Sequence, residues 1–431
     1  MPGKDSRFFV VGCYREDELA EDHLAMKTIT KLRDNGIAIT TEHLDCMDKE
    51  TVNEMVSQAL CLPRRLVNSL SDIVYHKTKG NPLFLSRLLL SLNKDGLLSF
   101  SLHRHRYVWD EETIQARSIP DDVAAFISST VGKCSPDVQE ALRVLSCFGN
   151  AVPYETLETL ESRLGLQLVE ELDFAASEGF INKLDNKFYW SHDRVQETVF
   201  ASIGQDELCR RHCLYGMCLV NAFRESGDID MLFAGISLIN LAGPLAFTDA
   251  SQSVDIAHHN YIAGKKALDM SAFAAASSFF NNGLSFLSER ARVNHYKLAL
   301  GLYESAAQCS LILGDHAHLA SLADQVDIHA NSIEDKLNVA YFLLTSFIYG
   351  SKISDAVSKG LSILAQLSIN LPTDLSNQEI MALIRQTQSN LAMISDDNLL
   401  NYKQMTDERH LMAMKYLAML ELPAHFIASV M

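Results

Sequence analysis

Met270-Ser271-Ala272-Phe273, Leu313-Gly314-Asp315-His316 and Gly350-Ser351-Lys352-Ile353 are three short breaks in a pattern that is otherwise helical from about Gly243 to the end of the chain. With Ser271, Gly314 and Ser351 taken as equivalent, the breaks recur at about 43 and 37 residues, the span of a two-helix repeat. Ala276, Ala320 and Ala356 stand near the starts of the second helices, where small side chains let paired helices approach. One such pair cannot bury its own apolar face, so the pairs must stack. The expectation is a helical linker followed by an α-solenoid over residues 204–431. The last residues before Met431 still read as helix, which predicts an array that continues or is cut there.

Upstream, residues 118–203 read as a compact module of helices closed by a hairpin, the outline of a winged helix. Helices are predicted over Asp121–Val131, Pro136–Cys147, Tyr154–Glu161 and Leu166–Ser177, with strands at Phe180–Leu184 and Lys187–Trp190 about the turn pair Asp185-Asn186. Ser191 or Asp193 is placed to cap the next helix. Residues 47–117 read as a mainly helical segment. Asp48 caps a helix towards Leu60, Pro63 breaks it, a second runs from Leu66 to Lys77, and Gly80-Asn81-Pro82 precedes an apolar helix over Leu83–Leu92. Gly96–Phe100 and Arg106–Trp109 suit a small hairpin. In residues 1–46, the run Phe8-Val11 suits a strand buried on both faces, a helix follows over about Leu19–Arg33, and Ile37–Thr41 suits a second strand. Two strands do not make a stable sheet. This segment is therefore expected to be the tail of a larger α/β layer, its other strands supplied by another chain or by a missing part of this one.

The 431 residues carry 37 basic and 54 acidic side chains, a net charge of −17 that opposes binding to a nucleic-acid backbone. No apolar stretch reaches the roughly 18 residues of a membrane span. Nine cysteines, an odd number spread thinly, fit reduced thiols in the cytoplasm better than a disulfide frame.

The chemistry-bearing patterns are few. A phosphate cradle of the form G-x-x-x-x-G-K-[ST] is absent from the sequence, as is an apolar strand ending in paired acids that holds Mg²⁺. Arg15 follows the first predicted strand, where a guanidinium can meet a phosphate or pair with Glu16, Asp17 or Glu18. Gly80-Asn81-Pro82 exposes a helix start to an anion or a base edge, or is simply a helix start. His192-Asp193 offers a donor to a phosphate beside a helix cap, or a solvated cap alone. Cys209, His212, Cys213 and Cys218 share one helix at spacings that match no zinc motif, and read as core thiols. His258-His259 alternates faces, and His103-Arg104-His105-Arg106 reads as a solvated turn.

The order of these signals is more specific than any one of them: a strand then G-C-Y-R-E-D-E-L, lid helices with G-N-P-L-F-L, a module with L-S-C-F-G-N-A-V, a hairpin then W-S-H-D-R-V-Q-E-T-V-F, and helical repeats. Over nearly the whole chain this series resembles the STAND-type signal-transduction ATPases of the AAA+ class. It is most similar to the predicted-ATPase segment between protein kinase and histidine kinase domains of large sensor proteins. The resemblance implies a mainly α fold: an α/β remnant of an AAA+ core, a helical lid, a winged helix and a TPR-like α-solenoid. It implies that Arg15 is the sensor arginine, that Gly80, Asn81 and Pro82 lie near the adenine, and that His192 and Asp193 hold the closed diphosphate-bound state. The family's phosphate loop and Mg²⁺-binding strand would precede Met1, so ATP or ADP with Mg²⁺ is expected only where that half is supplied.

The function expected from this is a regulatory and scaffolding fragment. It acts through protein contacts of its repeats, kinase or histidine kinase domains among the partners, with no nucleic acid and no membrane span. An ATP-hydrolysing switch is the alternative if the N-terminus is incomplete. A winged-helix transcriptional regulator is a third, opposed by the charge and by a wing whose cations are Lys183 and Lys187.

Overall fold

A computed structural model of the chain describes residues 9–14, 19, 23–117, 122–372, 375–401 and 403–430. The fold is mainly helical, with two small antiparallel sheets among the described residues. It divides into two compact units between Phe126 and Ile127.

In the first unit, α1 (Leu24–Asp34) is followed by α2 (Lys49–Ala59), α3 (Arg64–Thr78) and α4 (Pro82–Lys94). A hairpin of β1 (Leu98–Ser101) and β2 (Arg106–Trp109) and the short α5 (Glu111–Ala116) complete it. Asp48 caps α2 by accepting the Thr51 amide at 2.8 Å, and hydrogen bonding from the Thr51 hydroxyl and then this amide holds its carboxyl below the usual range. Apolar residues at helical spacing build the core: Val67, Leu70 and Val74 of α3 face Leu85, Leu88 and Leu92 of α4, all fully buried. Each such side chain contributes about 1.5–3 kcal/mol of burial. In the hairpin Leu98 pairs with Trp109 and Phe100 with Tyr107, the last two rings edge to face at 5.5 Å.

The strand–helix–strand expectation for residues 8–41 is corrected here, because only its helix forms. Phe8 lies outside the described residues. Residues 9–14 and 37–48 are irregular, with Phe9 90% exposed, and α1 buries no side chain. The physical reason is pairing. A strand needs at least one neighbour to pair its amides and carbonyls, and none of the strands among the described residues lies beside this segment.

The division between the units falls inside α6 (Val123–Val131). The second unit continues with α7 (Pro136–Ser146), β3 (Ala151–Pro153), α8 (Tyr154–Leu164), α9 (Val169–Ser177), β4 (Ile181–Leu184) and β5 (Lys187–Trp190). The sheet order is β3-β5-β4, antiparallel throughout. Asp185 and Asn186, both at positive φ (49° and 60°), form the predicted tight turn between β4 and β5. The third strand, β3, is an addition to the expected hairpin. Three residues are too few to show an alternation in sequence.

Helices α10 (Asp193–Ala201), α11 (Gln205–Ser226) and α12 (Ile229–Ala242) lead into the stack. The stack itself is α13 (Ala250–Asp269) with α14 (Phe273–Phe286), the short α15 (Glu289–Asn294), α16 (Tyr296–Leu313) with α17 (His316–His329), and α18 (Glu334–Tyr349) with α19 (Ile353–Gln366). The three predicted turns share one geometry. Ser271, Gly314 and Ser351 are all left-handed, at φ 60°, 74° and 59°. In each turn the next amide bonds a carbonyl five residues back: Ala272 to Ala267, Asp315 to Ser310, Lys352 to Phe347, at 2.8–2.9 Å. That is the Schellman closure of a helix, repeated three times. One continuous core runs from Val220 to Leu343, and a separate one joins Leu337 and Leu344 of α18 to Ile363 and Leu364 of α19. After α19 come α20 (Asn377–Ala392), which buries no side chain, α21 (Asp396–Leu400) and α22 (Glu408–Val430). Tyr416 of α22 is fully buried and donates its hydroxyl to the Leu337 carbonyl at 2.6 Å.

Candidate functional site

The Gly80-Asn81-Pro82 element is the joint between α3 and α4. Lys79 and Gly80 are both left-handed, at φ 52° and 75°, which turns the chain out of α3. The Gly80 carbonyl accepts the Met47 amide at 2.9 Å, and a Cβ on Gly80 would collide with the Met47 carbonyl oxygen. Asn81 caps α4, its Oδ1 accepting the Phe84 amide at 3.0 Å, and Pro82 occupies the first helical position. Gly80 is buried, Asn81 half-buried and Pro82 exposed.

His192 and Asp193 open α10 in the second unit. The sequence places the cap on Ser191 or Asp193, but the structure gives it to His192, whose Nδ1 accepts the Arg194 amide at 3.1 Å. Ser191 is drawn instead to the Phe180 carbonyl, at 2.8 Å from its hydroxyl. Because Nδ1 accepts, the neutral ring carries its proton on Nε2. Both His192 and Asp193 are exposed. Arg15 lies outside the described residues. Gly80–Pro82 and His192–Asp193 belong to different units, so neither unit by itself assembles the predicted set.

Of the α11 cysteines, Cys218 is buried while Cys209 and Cys213 are half-buried. His212 and Cys218 are buried, and burial pushes the Cys213 thiol up to about 11 and the His212 imidazole down. All nine cysteines are free, and among the described residues no cluster of His, Cys, Asp or Glu is arranged to hold a metal ion. His103 and His105 lie in an exposed turn, as expected. No helix among the described residues is long and apolar enough to cross a membrane.

Arg211 ties α11 to α7. Its guanidinium grips both oxygens of Glu140, at 2.5 and 3.1 Å, and donates to Glu207 and to the Tyr215 hydroxyl. The second unit also holds two concavities the sequence did not reveal. An open groove of about 840 Å³ between α8 and the α11–α12 turn is lined by Glu155, Glu158, Glu161 and Asp228, with Arg163 bound to Glu225. A more closed cavity of about 280 Å³ lies among α15, α16 and the end of α17.

No protein-family model matches the chain. Two curated proteins are similar to it. Hybrid signal transduction histidine kinase G of Dictyostelium discoideum is 21% identical over 391 residues, 77% of this chain and 11% of that protein. Peroxide stress-activated histidine kinase mak3 of Schizosaccharomyces pombe is 24% identical over 227 residues, 50% of this chain and 9% of that protein. The chain thus spans about a tenth of the length of these relatives. Among solved structures, a Signal Transduction ATPase with Numerous Domains (STAND) protein with a tetratricopeptide repeat sensor, from Pyrococcus horikoshii, is 14% identical with a TM-score of 0.35. That match covers 89% of this chain and 55% of that one.

Proposed function

We propose that this chain is a regulatory and scaffolding segment of a STAND-type signalling ATPase within a histidine-kinase sensor protein, and that it works through protein contacts. The observation that carries this reading is the stack of helical hairpins with a recurring turn, which offers an extended surface for other protein domains. The long alignment with histidine kinase G supports the setting, since it runs through most of this chain. Kinase or histidine kinase domains of the same polypeptide are the partners this setting supplies.

In this proposal the nucleotide-facing residues are Arg15 towards the γ-phosphate, Gly80, Asn81 and Pro82 near the adenine, and His192 with Asp193 at the phosphates. ATP or ADP with Mg²⁺ is held only where a phosphate-gripping segment joins them. The purified 431-residue chain is therefore expected to show no Mg²⁺-dependent ATP hydrolysis above a blank. Hydrolysis that disappears on Arg15→Ala overturns the scaffold reading and favours the ATP-hydrolysing switch. A DNA-binding role is disfavoured at the hairpin, where Lys183 is spent on Asp173 at 2.7 Å and lies over the Tyr154 and Phe188 rings. Salt-sensitive retention of duplex DNA by the chain would count for that role.

A further inference from the structure

The 280 Å³ cavity is lined by a cation and, one helical turn before it, by the carboxylate of Glu289. Arg292 of α15 lines it, and among the described residues no carboxylate pairs with this guanidinium. Its Nη2 donates to the Leu284 carbonyl at 3.2 Å, and its centre lies 6.0 Å from the centroid of the buried Tyr303 ring. Its Nε is out of water and donates to no described group. An arginine with spare donors in a partly dry place gains most from a planar, singly charged acceptor, which a carboxylate is. Leu300, Val326 and Ala330 supply apolar walls on which the body of such a ligand can lie.

The walls are set before any ligand arrives. Tyr296 accepts the Asn331 amide at 2.9 Å and donates to Asp335 at 2.8 Å, and Asp335 also takes the Ser332 amide at 3.1 Å. These bonds fix the chain just after α17 against the start of α16. A preformed cavity spares its ligand the cost of ordering the loop. A volume of about 280 Å³ is below the usual range for drug-sized ligands, so the occupant is small. A phosphate dianion is a poorer fit, because one arginine must balance two charges while the carboxylate of Glu289 also lines the cavity.

We infer that this cavity is a binding site for a small organic carboxylate with an apolar or aromatic body, its carboxylate on Arg292. Such a group comes either as a free acid or as the C-terminal residue of a peptide. The site is independent of the nucleotide-facing residues proposed above.

The test uses the 431-residue chain and saturation-transfer NMR with 3-phenylpropionate, the neutral 3-phenylpropanamide, inorganic phosphate, and a tripeptide ending in a free or an amidated phenylalanine. The acid is expected to bind at least about tenfold more tightly than its amide, a difference of about 1.4 kcal/mol for the charged contact. Arg292→Gln is expected to remove that preference. Ala330→Leu, which fills the cavity without touching the charge, is expected to abolish binding of acid and amide alike while the melting temperature holds. This second variant keeps the test decisive if Arg292→Gln fails to fold. Binding of the free-acid peptide alone assigns the site to chain termini, and binding of phenylpropionate alone assigns it to free acids. Equal binding of acid and amide, binding unchanged in Ala330→Leu, tighter binding of phosphate, or no binding by either carboxylate source overturns the inference.

Discussion

Adding one methyl group at Gly216 is expected to push two helices apart. Gly216 of α11 and Gly235 of α12 lie against each other's backbone. A Cβ on Gly216 would stand 2.8 Å from the Gly235 carbonyl oxygen and 3.2 Å from the Ile239 amide nitrogen. A Cβ on Gly235 would stand 2.9 Å from the Gly216 carbonyl oxygen and 3.0 Å from the Val220 amide nitrogen. Side-chain carbons of Ile239 and Val220 also stand in the way, at 2.6 and 3.0 Å, but no rotamer change relieves the main-chain obstacles, so the helices must separate by some tenths of an ångström along a fully packed seam. With main-chain contacts below 3.0 Å the cost is expected in the upper half of the overpacking range, about 2–3 kcal/mol. Alanine returns about 1 kcal/mol of helix propensity. The net effect is a loss of about 1–2 kcal/mol for Gly216→Ala or Gly235→Ala alone. One separation accommodates both methyls, so the double variant is expected to lose at least about 0.5 kcal/mol less than the two singles added together. A chain of two units is not expected to unfold in a single step, so native-state hydrogen exchange of the α11 and α12 amides is the right assay. A loss of 1.4 kcal/mol appears there as about tenfold faster exchange. Unchanged or slower exchange in both single variants, the result that helix propensity alone dictates, would falsify the close approach.

Four further outcomes follow from the same geometry. Gly80→Ala, which forces a side chain into both a left-handed backbone and the Met47 carbonyl, is expected to cost more than the roughly 1 kcal/mol of a lost helix cap that Asn81→Ala removes, read by thermal melting of the two variants side by side. Arg211→Ala is expected to weaken the α7–α11 contact by about 2–3 kcal/mol, and Arg211→Lys to recover less than half, because lysine lacks the fork that holds both Glu140 oxygens; hydrogen exchange of α7 reports it. Tyr416→Phe removes the hydroxyl that donates to the buried Leu337 carbonyl in addition to that carbonyl's helical bond, and is expected to cost about 1 kcal/mol, visible as faster exchange in α22. His212 and His259 are held below the ordinary 6.5 chiefly by burial, so at pH 5.5 the unfolded chain binds protons that the folded chain does not. Their contribution is present above pH 6.5 and lost as the pH falls towards the folded values. The melting temperature is therefore expected to drop between pH 7.5 and 5.5, and to drop less in His212→Gln.

The repeat stack was legible because its signals are local. A left-handed serine or glycine between two apolar helices can be read from a dozen residues, and all three turns close as the sequence implies. The Asp185-Asn186 hairpin and the Asp48 cap are local in the same sense. The failures are non-local. Phe9–Val11 has the composition of a buried strand, but composition cannot say whether a neighbouring strand exists, and here the segment stands exposed. The cap at His192 was missed because Ser191 is engaged by the Phe180 carbonyl, which lies 11 residues away and becomes a neighbour only once the hairpin forms. Gly80 was singled out as a helix start, yet what demands glycine there is the carbonyl of Met47, on the far side of two helices in sequence.

The irregular spacing of the turns carries information of the same kind. The interval from Ser271 to Gly314 exceeds that from Gly314 to Ser351 by about the length of α15, six residues from Glu289 to Asn294. The first interval holds that extra turn between α14 and α16, and in the second α17 passes to α18 through a short connection without one. An insertion between stacked hairpins cannot enter the core, since the helices on either side already fill it. It must lie along the edge of the stack, and there it needs a reason to stay put. Arg292, at the centre of α15, provides one by bonding back to the Leu284 carbonyl and lying over Tyr303, and in doing so it leaves the cavity beside α16 walled on one more side. The departure from strict periodicity in this array thus falls where the described residues form the cavity and place the Arg292 guanidinium on its wall.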